Sequence, residues 1–594
     1  MDIHNFLFNS LLSVTKPARY IGKEINQVVK DFDRQDVKFA LCFPDIYEVG
    51  MSHLGFKIIY GILNSLEGVV CERVFSPWGD FEELLIKNSI EIFSLESKRP
   101  LRDFDIIGFS ISHELNYTNV LNILKLANIR LRSTERNDND PLIIAGGYSC
   151  FNPEPIADFI DAFVIGEAEE VILEIIDVFR SHKCNKDGLL KELASLEGVY
   201  VPVLYEPPKR IRKRIVSDFN NAYYPVKQIV PYISIIHDRI SMEIMRGCVG
   251  SCRFCQAGML TRPVRLRSPD KILELVKDTY ISTGYEEISL VSLSSIDHPS
   301  IKEIIAELNK YFSPKGVGIS LPSLRIENAL KDIPLLISKT RKTTLTFAPE
   351  AGTERLLNVI NKNIEIDGLF IAAEEAFRQG WRHLKLYFMI GLPTEKEEDL
   401  QGIVILCRQL SQLKKKLDGH PAGINISLSS FIPKPHTPFQ WEKMEDISML
   451  KEKARFIKNS LKSRLFKVDV HNIESSFLEA VFSRGDKILS RVILTAFNSG
   501  CRFDNWTDKF DFNIWMDSFK KEGINPHNYL NNRTFDDMFS WDIIDTGVSK
   551  DFLMRENMLA KFSMASPGCE LDACKNYCNV CGNNRKNQVK VDLR

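Results

Sequence analysis

Neither charge prevails in this sequence: 77 lysines and arginines face 78 aspartates and glutamates, a formal net charge of −1 over 594 residues. That balance excludes a global electrostatic pull toward nucleic acid or membrane and leaves only a local basic groove open. Long apolar runs are missing too; none approaches the roughly 18–20 residues that span a bilayer. The start, MDIHNFLFNSLLSVTKPARY, has an apolar patch but no basic stretch before it and no small-residue cleavage site. It does not read as a signal peptide, so a cytoplasmic protein is expected. No internal repeat and no long low-complexity tract is visible. What is present is ordinary globular material, 44% apolar and 26% charged, in a chain long enough for two to four domains.

Cysteine is not scarce, and its placement is uneven. In a reducing compartment the 13 cysteines are thiols rather than disulfides. Seven fall in two tight clusters. The others, Cys42, Cys71, Cys150, Cys184, Cys407 and Cys501, are scattered and read as small core residues.

Hydrophobic periodicity divides the chain. Strand-like runs VKFALCF, VVCERVF, IEIFSL, DIIGFSI, PLIIAGG and FIDAFVIG alternate with helical patterns such as FKIIYGILNSL and EAEEVILEIIDVFR. This order predicts a doubly wound parallel sheet over residues 1–220. LYEPPKRIRKRI reads as a solvated basic connector. A second series follows over 221–465, with strands in ISIIHDRISMEIM, EEISLVSLS, GVGISLP, TTLTFAPE, HLKLYFMIG and GINISLSSFIP. Six strands suit a partial (β/α)6 barrel, with chemistry at the carboxyl ends of the strands. Residues 466–594 read as a mainly helical region ending in a cysteine-rich tail.

Just after the first barrel strand stands RGCVGSCRFCQAG, with Cys248, Cys252 and Cys255 spaced C-x3-C-x2-C. Structural zinc prefers four closed ligands, so a lone triad is a weak zinc site. Three cysteines on one loop suit three corners of a four-iron cluster and leave the fourth iron open. The stretch resembles the radical SAM superfamily, whose mark is C-x3-C-x-aromatic-C after the first strand; Phe254 supplies the aromatic. The resemblance implies that S-adenosylmethionine chelates the open iron and that the reduced cluster cleaves it to a 5′-deoxyadenosyl radical.

Further motifs follow later strands. Ser294 and Ser295 in SLSS, Arg325 in SLPSLR, Glu350 and Arg355 in FAPEAGTERL, and Gly391, Leu392 and Pro393 in GLPTE are the candidate contacts to S-adenosylmethionine. His436 in HTPF is a candidate substrate contact. Together with FPDIYEVGMSHLGF, FSPWGDFEELL and AGGYSCFNPEPIADFIDAFVIGEAEE, these stretches resemble radical SAM proteins of undefined function with a cobalamin-binding-like first domain.

That resemblance raises cobalamin itself. The loop Met51-Ser52-His53-Leu54-Gly55 departs from D-x-H-x-x-G, with Met51 at the Asp position and a glycine that comes too early. His53 is the candidate cobalt ligand, and Gly146, Gly147 and Gly166 are the glycines that would admit a corrin. A domain that keeps the shape without the cofactor is the favoured reading. In the tail, Cys569, Cys574, Cys578 and Cys581 are spaced C-x4-C-x3-C-x2-C, a set that suits zinc or a second iron–sulfur cluster. Helical acids such as Glu474, Glu479, Asp542 and Asp545 read as caps or salt bridges.

The leading expectation is an oxygen-sensitive, soluble radical SAM enzyme of unknown substrate and unknown catalytic residues, fed by an electron donor such as flavodoxin or ferredoxin. Three alternatives stand beside it: a cobalamin-dependent radical methyltransferase, a methylthio-transfer enzyme acting on tRNA or a ribosomal protein, and a non-enzymatic iron–sulfur scaffold or redox sensor.

Overall fold

The computed structural model describes residues 3–183, 185–321, 344–569 and 578–581. In the first sheet, β1 (Val37–Phe43), β2 (Val69–Phe75), β3 (Ile106–Ser110), β4 (Leu142–Gly146) and β5 (Ala162–Val164) are parallel, and β6 (Val199–Tyr200) closes one edge antiparallel. The order is β2-β1-β3-β4-β5-β6. Side chains alternate across the pleat. Phe39, Leu41, Ile106 and Ile144 pack under the helices Leu54–Ser65 and Val171–Ser181. Ala40, Cys42, Ile107 and Ile143 pack on the other face, with the helix Tyr117–Leu126. Both faces are therefore buried, as a parallel sheet requires.

IEIFSL does not join the sheet; its only pairing is an isolated bridge between Phe93 and Pro100. The connector also differs from a solvated linker. Just before its strand β7 (Ile211–Arg212), Arg210 donates to the carbonyls of Asp542 and Ile544, on one side. On the other, Lys213 is buried and donates to the carbonyls of Leu260 and Arg262 at 2.6 and 2.7 Å. The basic run is a clamp because its cations find backbone carbonyls across three parts of the chain.

The second unit holds β8 (Ile240–Glu243), the short β9 (Met245–Arg246) and β10 (Arg265–Leu266), then β11 (Glu287–Val291), β12 (Gly318–Ser320), β13 (Thr344–Glu350), β14 (His383–Ile390), β15 (Gly423–Ser430) and β16 (Phe466–Val470). β8, β11 and β12 form one parallel sheet, and β13 to β16 another. Amphipathic helices separate them. Pro269–Thr283 shows why: Ser268 caps its start through the Lys271 N–H, Pro269 sits at the first position, and Gly284 ends it in the left-handed region. β16 is a seventh parallel strand, in FKVDV, beyond the six read from the sequence.

The aromatic-rich helices after it are not a separate body. Leu489–Asn498 and Trp515 join the same core as Ile107 and Ile143 of the first sheet. Trp515 Nε1 and Thr118 Oγ1 both donate to Asp504, whose burial pushes its carboxyl up to about 6. β17 (Ile544–Asp545) pairs in parallel with β7. No helix among the described residues is long and apolar enough to cross a membrane.

Candidate functional site

The loop bearing Cys248, Cys252 and Cys255 is closed at its base by β9 pairing antiparallel with β10. Gly247 makes that closure possible. Its φ is +95°, and an added Cβ would lie 2.9 Å from Val264 Cα and 3.0 Å from the Pro263 carbonyl. Inside the loop, Arg262 Nη2 donates to Ser251 Oγ at 3.1 Å. Arg253, between Cys252 and Phe254, is fully buried; it pairs with Glu556 at 3.1 Å and donates to the carbonyls of Asn358, Val359 and Met564.

Two of the thiols already accept backbone hydrogen bonds, Cys248 Sγ from the Gly250 N–H and Cys255 Sγ from the Gly258 N–H, each at 3.3 Å. Such N–H···S contacts are what a cluster-ligating thiolate needs, and they tune cluster potential. Burial pushes the Cys255 thiol up to about 12, with Cys252 and Cys248 adding to the effect. The three sulfurs do not gather within 4.8 Å of one another; among the described residues the group of three that does is His113, Glu114 and Glu479. A single zinc with Zn–S bonds of about 2.3 Å needs a tighter set. Three thiolates on one loop fall short of the four closed ligands of structural zinc and suit a multi-iron cluster better.

Around this loop the barrel's carboxyl ends converge. Phe254 packs with Ala351 after β13, Met389 and Leu392 at the end of β14, and Phe431 after β15. Glu350 is mostly buried, which raises its carboxyl, and Lys362 Nζ donates to it at 3.4 Å. Lys362 also lowers the Cys255 thiol, so its ammonium lies toward the cluster loop. Sequence reading missed Lys362. It follows Asn361, which turns left-handed after the helix Glu354–Val359 and donates to the Ser251 carbonyl at 3.1 Å. That turn aims the next residue at Glu350. Glu350 at the end of β13, Thr394 after β14 and His436 after β15, all non-glycine, hold positive φ of 69°, 59° and 60°. Each such residue costs on the order of 1–3 kcal/mol, and such strain gathers at functional sites.

Other predicted contacts sit differently. Ser294 and Ser295 are fully buried and donate inward, to Asp297 and to the Leu290 carbonyl; Ser292 faces a cavity in their place. Arg355 pairs with Asp399 and donates to the Thr394 carbonyl at 2.9 Å, so it braces the GLPTE turn. In that turn the Gly391 N–H donates to Glu395 at 3.0 Å, Leu392 is buried, and Pro393 lies between it and Thr394. Arg325 and Cys574 lie outside the described residues.

A cavity of about 480 Å³ opens between the carboxyl edge of the first sheet and the barrel. His53, Gly146, Gly147 and Gly166 line it from one side, and Arg246, Gly247 and Ser292 from the other. Arg246 crosses the seam, reaching Glu167 at 3.2 Å, Glu169 at 2.8 Å and Glu243 at 2.9 Å. The four candidate cobalamin residues thus meet in one place, yet they do not fit a cobalt-ligated corrin. His53 caps the helix Leu54–Ser65, its Nδ1 accepting the Phe56 N–H at 3.3 Å, and burial lowers it to about 4. With Nδ1 engaged in the cap, ligation of cobalt by this ring would require giving up that bond or changing tautomer. The absent side chains at Gly147 and Gly166 are explained by the protein's own backbone: a Cβ at either would lie 2.3 Å from the carbonyl oxygen of Ile111 or Arg214.

His436 is also a structural residue. Its Nε2 is 2.9 Å from the Phe151 carbonyl of the first unit, and burial lowers it to about 4. The unfolded chain takes up a proton there below pH 6.5 and the folded chain does not until about pH 4, so stability drains as pH falls through that window, by up to roughly 3 kcal/mol. His436→Gln is expected to flatten the fall of the thermal midpoint between pH 7 and pH 4.5. An unchanged slope in the variant would refute this assignment.

Among the helical acids, Glu474 pairs with Lys451, Asp542 caps the Phe539 N–H and Asp545 accepts from the Gly547 N–H. Glu479 lies 3.2 Å from His113 Nε2 and 2.8 Å from Lys434 Nζ, and Lys434 also reaches Glu114 at 2.9 Å. The ammonium supplies the positive charge there and drives Glu479 well below the usual carboxylate range.

Two family profiles match the chain: one described as the N-terminal region of radical SAM proteins over residues 55–202, the other as the radical SAM superfamily over 242–407. An uncharacterized protein of Methanocaldococcus jannaschii, MJ0966, is 28% identical over 82% of this chain and 97% of its own length. An anaerobic magnesium-protoporphyrin IX monomethyl ester cyclase of Rubrivivax gelatinosus is 22% identical over 42% of this chain and 45% of its own. The structure of a radical S-adenosylmethionine methyltransferase, TsrM, from Kitasatospora setae, with cobalamin and a [4Fe-4S] cluster bound, aligns at 12% identity. It covers 66% of this chain and 74% of that one with a TM-score of 0.44.

Proposed function

We propose, from the premise that the chain belongs to the radical SAM superfamily, that it reductively cleaves S-adenosylmethionine and uses the resulting radical on a substrate held between its first sheet and its barrel. The observation that carries this reading is the grouping of Cys248, Cys252 and Cys255 with Phe254, Leu392 and the Glu350–Lys362 pair at one barrel rim.

In this reading Cys248, Cys252 and Cys255 would hold a four-iron cluster, with S-adenosylmethionine bound beside it. The cluster with its cofactor, when bound, supplies one-electron cleavage of a sulfonium C–S bond and a 5′-deoxyadenosyl radical. The chain's own residues do the rest. The Lys362 ammonium, held by Glu350 at 3.4 Å, would neutralise the methionyl carboxylate. Phe254 and Leu392 offer apolar faces to the adenosine and keep water away. Arg246, through Glu167 and Glu169, fixes the first unit against the loop.

Anaerobic reconstitution followed by dithionite and S-adenosylmethionine is expected to yield 5′-deoxyadenosine. A verified cluster that binds the cofactor and yields none would overturn the reading. Lys362→Met is expected to weaken cofactor binding roughly tenfold to a hundredfold, the worth of a charge-assisted hydrogen bond, at unchanged iron content. Unchanged affinity, read from the cofactor-induced shift of the cluster's magnetic resonance spectrum, would remove Lys362 from this role.

The residues supporting a second chemistry are weaker. For a histidine-ligated corrin, His53 would have to leave its cap on the helix Leu54–Ser65. Incubation with hydroxocobalamin is expected to give no histidine-ligated spectrum. For methylthio transfer, the described thiols of the first unit, Cys42, Cys71 and Cys150, are buried, and Cys42 and Cys71 lie on opposite faces of the sheet.

A further inference from the structure

The cavity between the first sheet and the barrel has apolar walls on both sides. Leu41, Ile58, Phe109 and Ile144 line it from the first unit, and Met245 and Leu260 from the barrel. It reaches the cluster loop itself, at Gly247 beside Cys248 and at Thr261, next to the short helix that Cys255 caps. A molecule filling it would lie against that loop.

The charges in these walls are already spent. Glu167, Glu169 and Glu243 all pair with Arg246, and Glu167 also takes Arg265 at 2.5 Å. Arg214 turns to Glu170 and Glu174. The buried Lys213 ammonium is held by the carbonyls of Leu260 and Arg262. An ion entering here would leave water without meeting a free counter-ion, which is costly.

Neutral groups, by contrast, are uncommitted. Ser110 at the end of β3, Tyr148 after β4 and His53 after β1 line the cavity. Ser110 Oγ, the Tyr148 hydroxyl and His53 Nε2 make no hydrogen bond among the described residues. β1, β3 and β4 are neighbours in the sheet, so the three groups stand along one edge. A hydrocarbon wall with a few convergent polar groups on one side orients a ligand by an oxygen. Gly146, at that edge, borders real space: unlike Gly147 and Gly166, an added Cβ would meet only Val164, 3.6 Å away.

We infer that this cavity takes an uncharged, largely hydrocarbon substrate bearing a hydroxyl or carbonyl group, and that ionic molecules such as nucleotides are shut out. The inference rests on the radical SAM reading only in calling the bound molecule a substrate.

The test uses the anaerobically reconstituted full chain and Nile red, a neutral apolar dye with a ring carbonyl. One saturable site per chain, with blue-shifted emission, is expected. 1-Decanol should displace the dye at a concentration at least about tenfold below that of decanoate or decylamine, its charged counterparts of equal length. Gly146→Phe fills the cavity, and Leu293→Asp puts a carboxylate on its wall. Each is expected to weaken dye binding at least about tenfold. Decanoate or decylamine as effective as the alcohol would overturn the inference. So would the lack of a saturable site, or a folded variant that binds like the parent. Should Gly146→Phe not fold, Leu293→Asp decides, since Leu293 is 39% exposed and lies outside the packed core. Dye binding needs no cleavage chemistry, so the two readings fail separately. A chain that binds the dye in this way and forms no 5′-deoxyadenosine loses the radical reading alone. One that cleaves the cofactor and ignores the dye loses this inference alone.

Discussion

Cys252→Ala is expected to abolish 5′-deoxyadenosine formation, by at least about two orders of magnitude, while leaving the fold in place. The loss is large because the remaining thiols of Cys248 and Cys255 cannot replace a third corner, and a cluster short of one protein ligand has no stable seat. The fold is expected to survive because Cys252 is only partly buried, whereas the loop is held from outside by Arg253, Arg262 and Lys213. The measurement pairs product analysis with iron content. A variant that keeps a full cluster and full cleavage would show that some other residue supplies the third corner.

Arg253→Met is expected to be the most destabilising single change outside the apolar core. Arg253 and Glu556 are both fully buried and share one ion pair. Removing Arg253 leaves the buried Glu556 carboxylate with only Arg555, 3.5 Å from its other oxygen, to offset it, at a cost of up to about 3–5 kcal/mol. Three carbonyls lose their donor as well. The consequence is specific: the tail should detach from the cluster loop before the first sheet unfolds. Since large chains often unfold irreversibly, the useful measure is the half-life at a fixed temperature together with proteolytic release of the segment after residue 549. Arg253→Met/Glu556→Leu should recover part of the loss, because it no longer buries that carboxylate. A single variant as durable as the parent would mean that the pair is not what holds the tail.

The legible part of the fold and the hidden part differ in kind. Alternation across β1, β3 and β4 was readable because each second residue meets the same layer of helices, a rule that needs no knowledge of partners. IEIFSL alternates too, yet it stays out of the sheet, since Ile92 and Phe93 are buried against loops and a helix instead. Of the candidate site, the structure brings Cys248, Phe254, Cys255, Glu350 and Leu392 to one rim. Arg355, Ser294 and Ser295 carry suitable groups, but nearer partners claim them: Asp399 for the first, Asp297 and the Leu290 carbonyl for the serines. Nothing local distinguishes a free hydroxyl or guanidinium from a claimed one.

The sequence by itself determined the layered α/β architecture, the three-thiol loop at the first barrel strand and the four cysteines of the tail. All of these are carried by spacing along the chain, which backbone geometry converts directly into position. Tertiary structure alone decided that the helices after residue 470 share a core with the first sheet, that Lys362 turns toward the cluster loop, and that Cys569 lies against Val249. It also decided that His53 caps the helix Leu54–Ser65 at the wall of the cavity. Those outcomes depend on which groups meet across hundreds of residues of chain, and burial partners of that kind leave no periodic trace in the sequence.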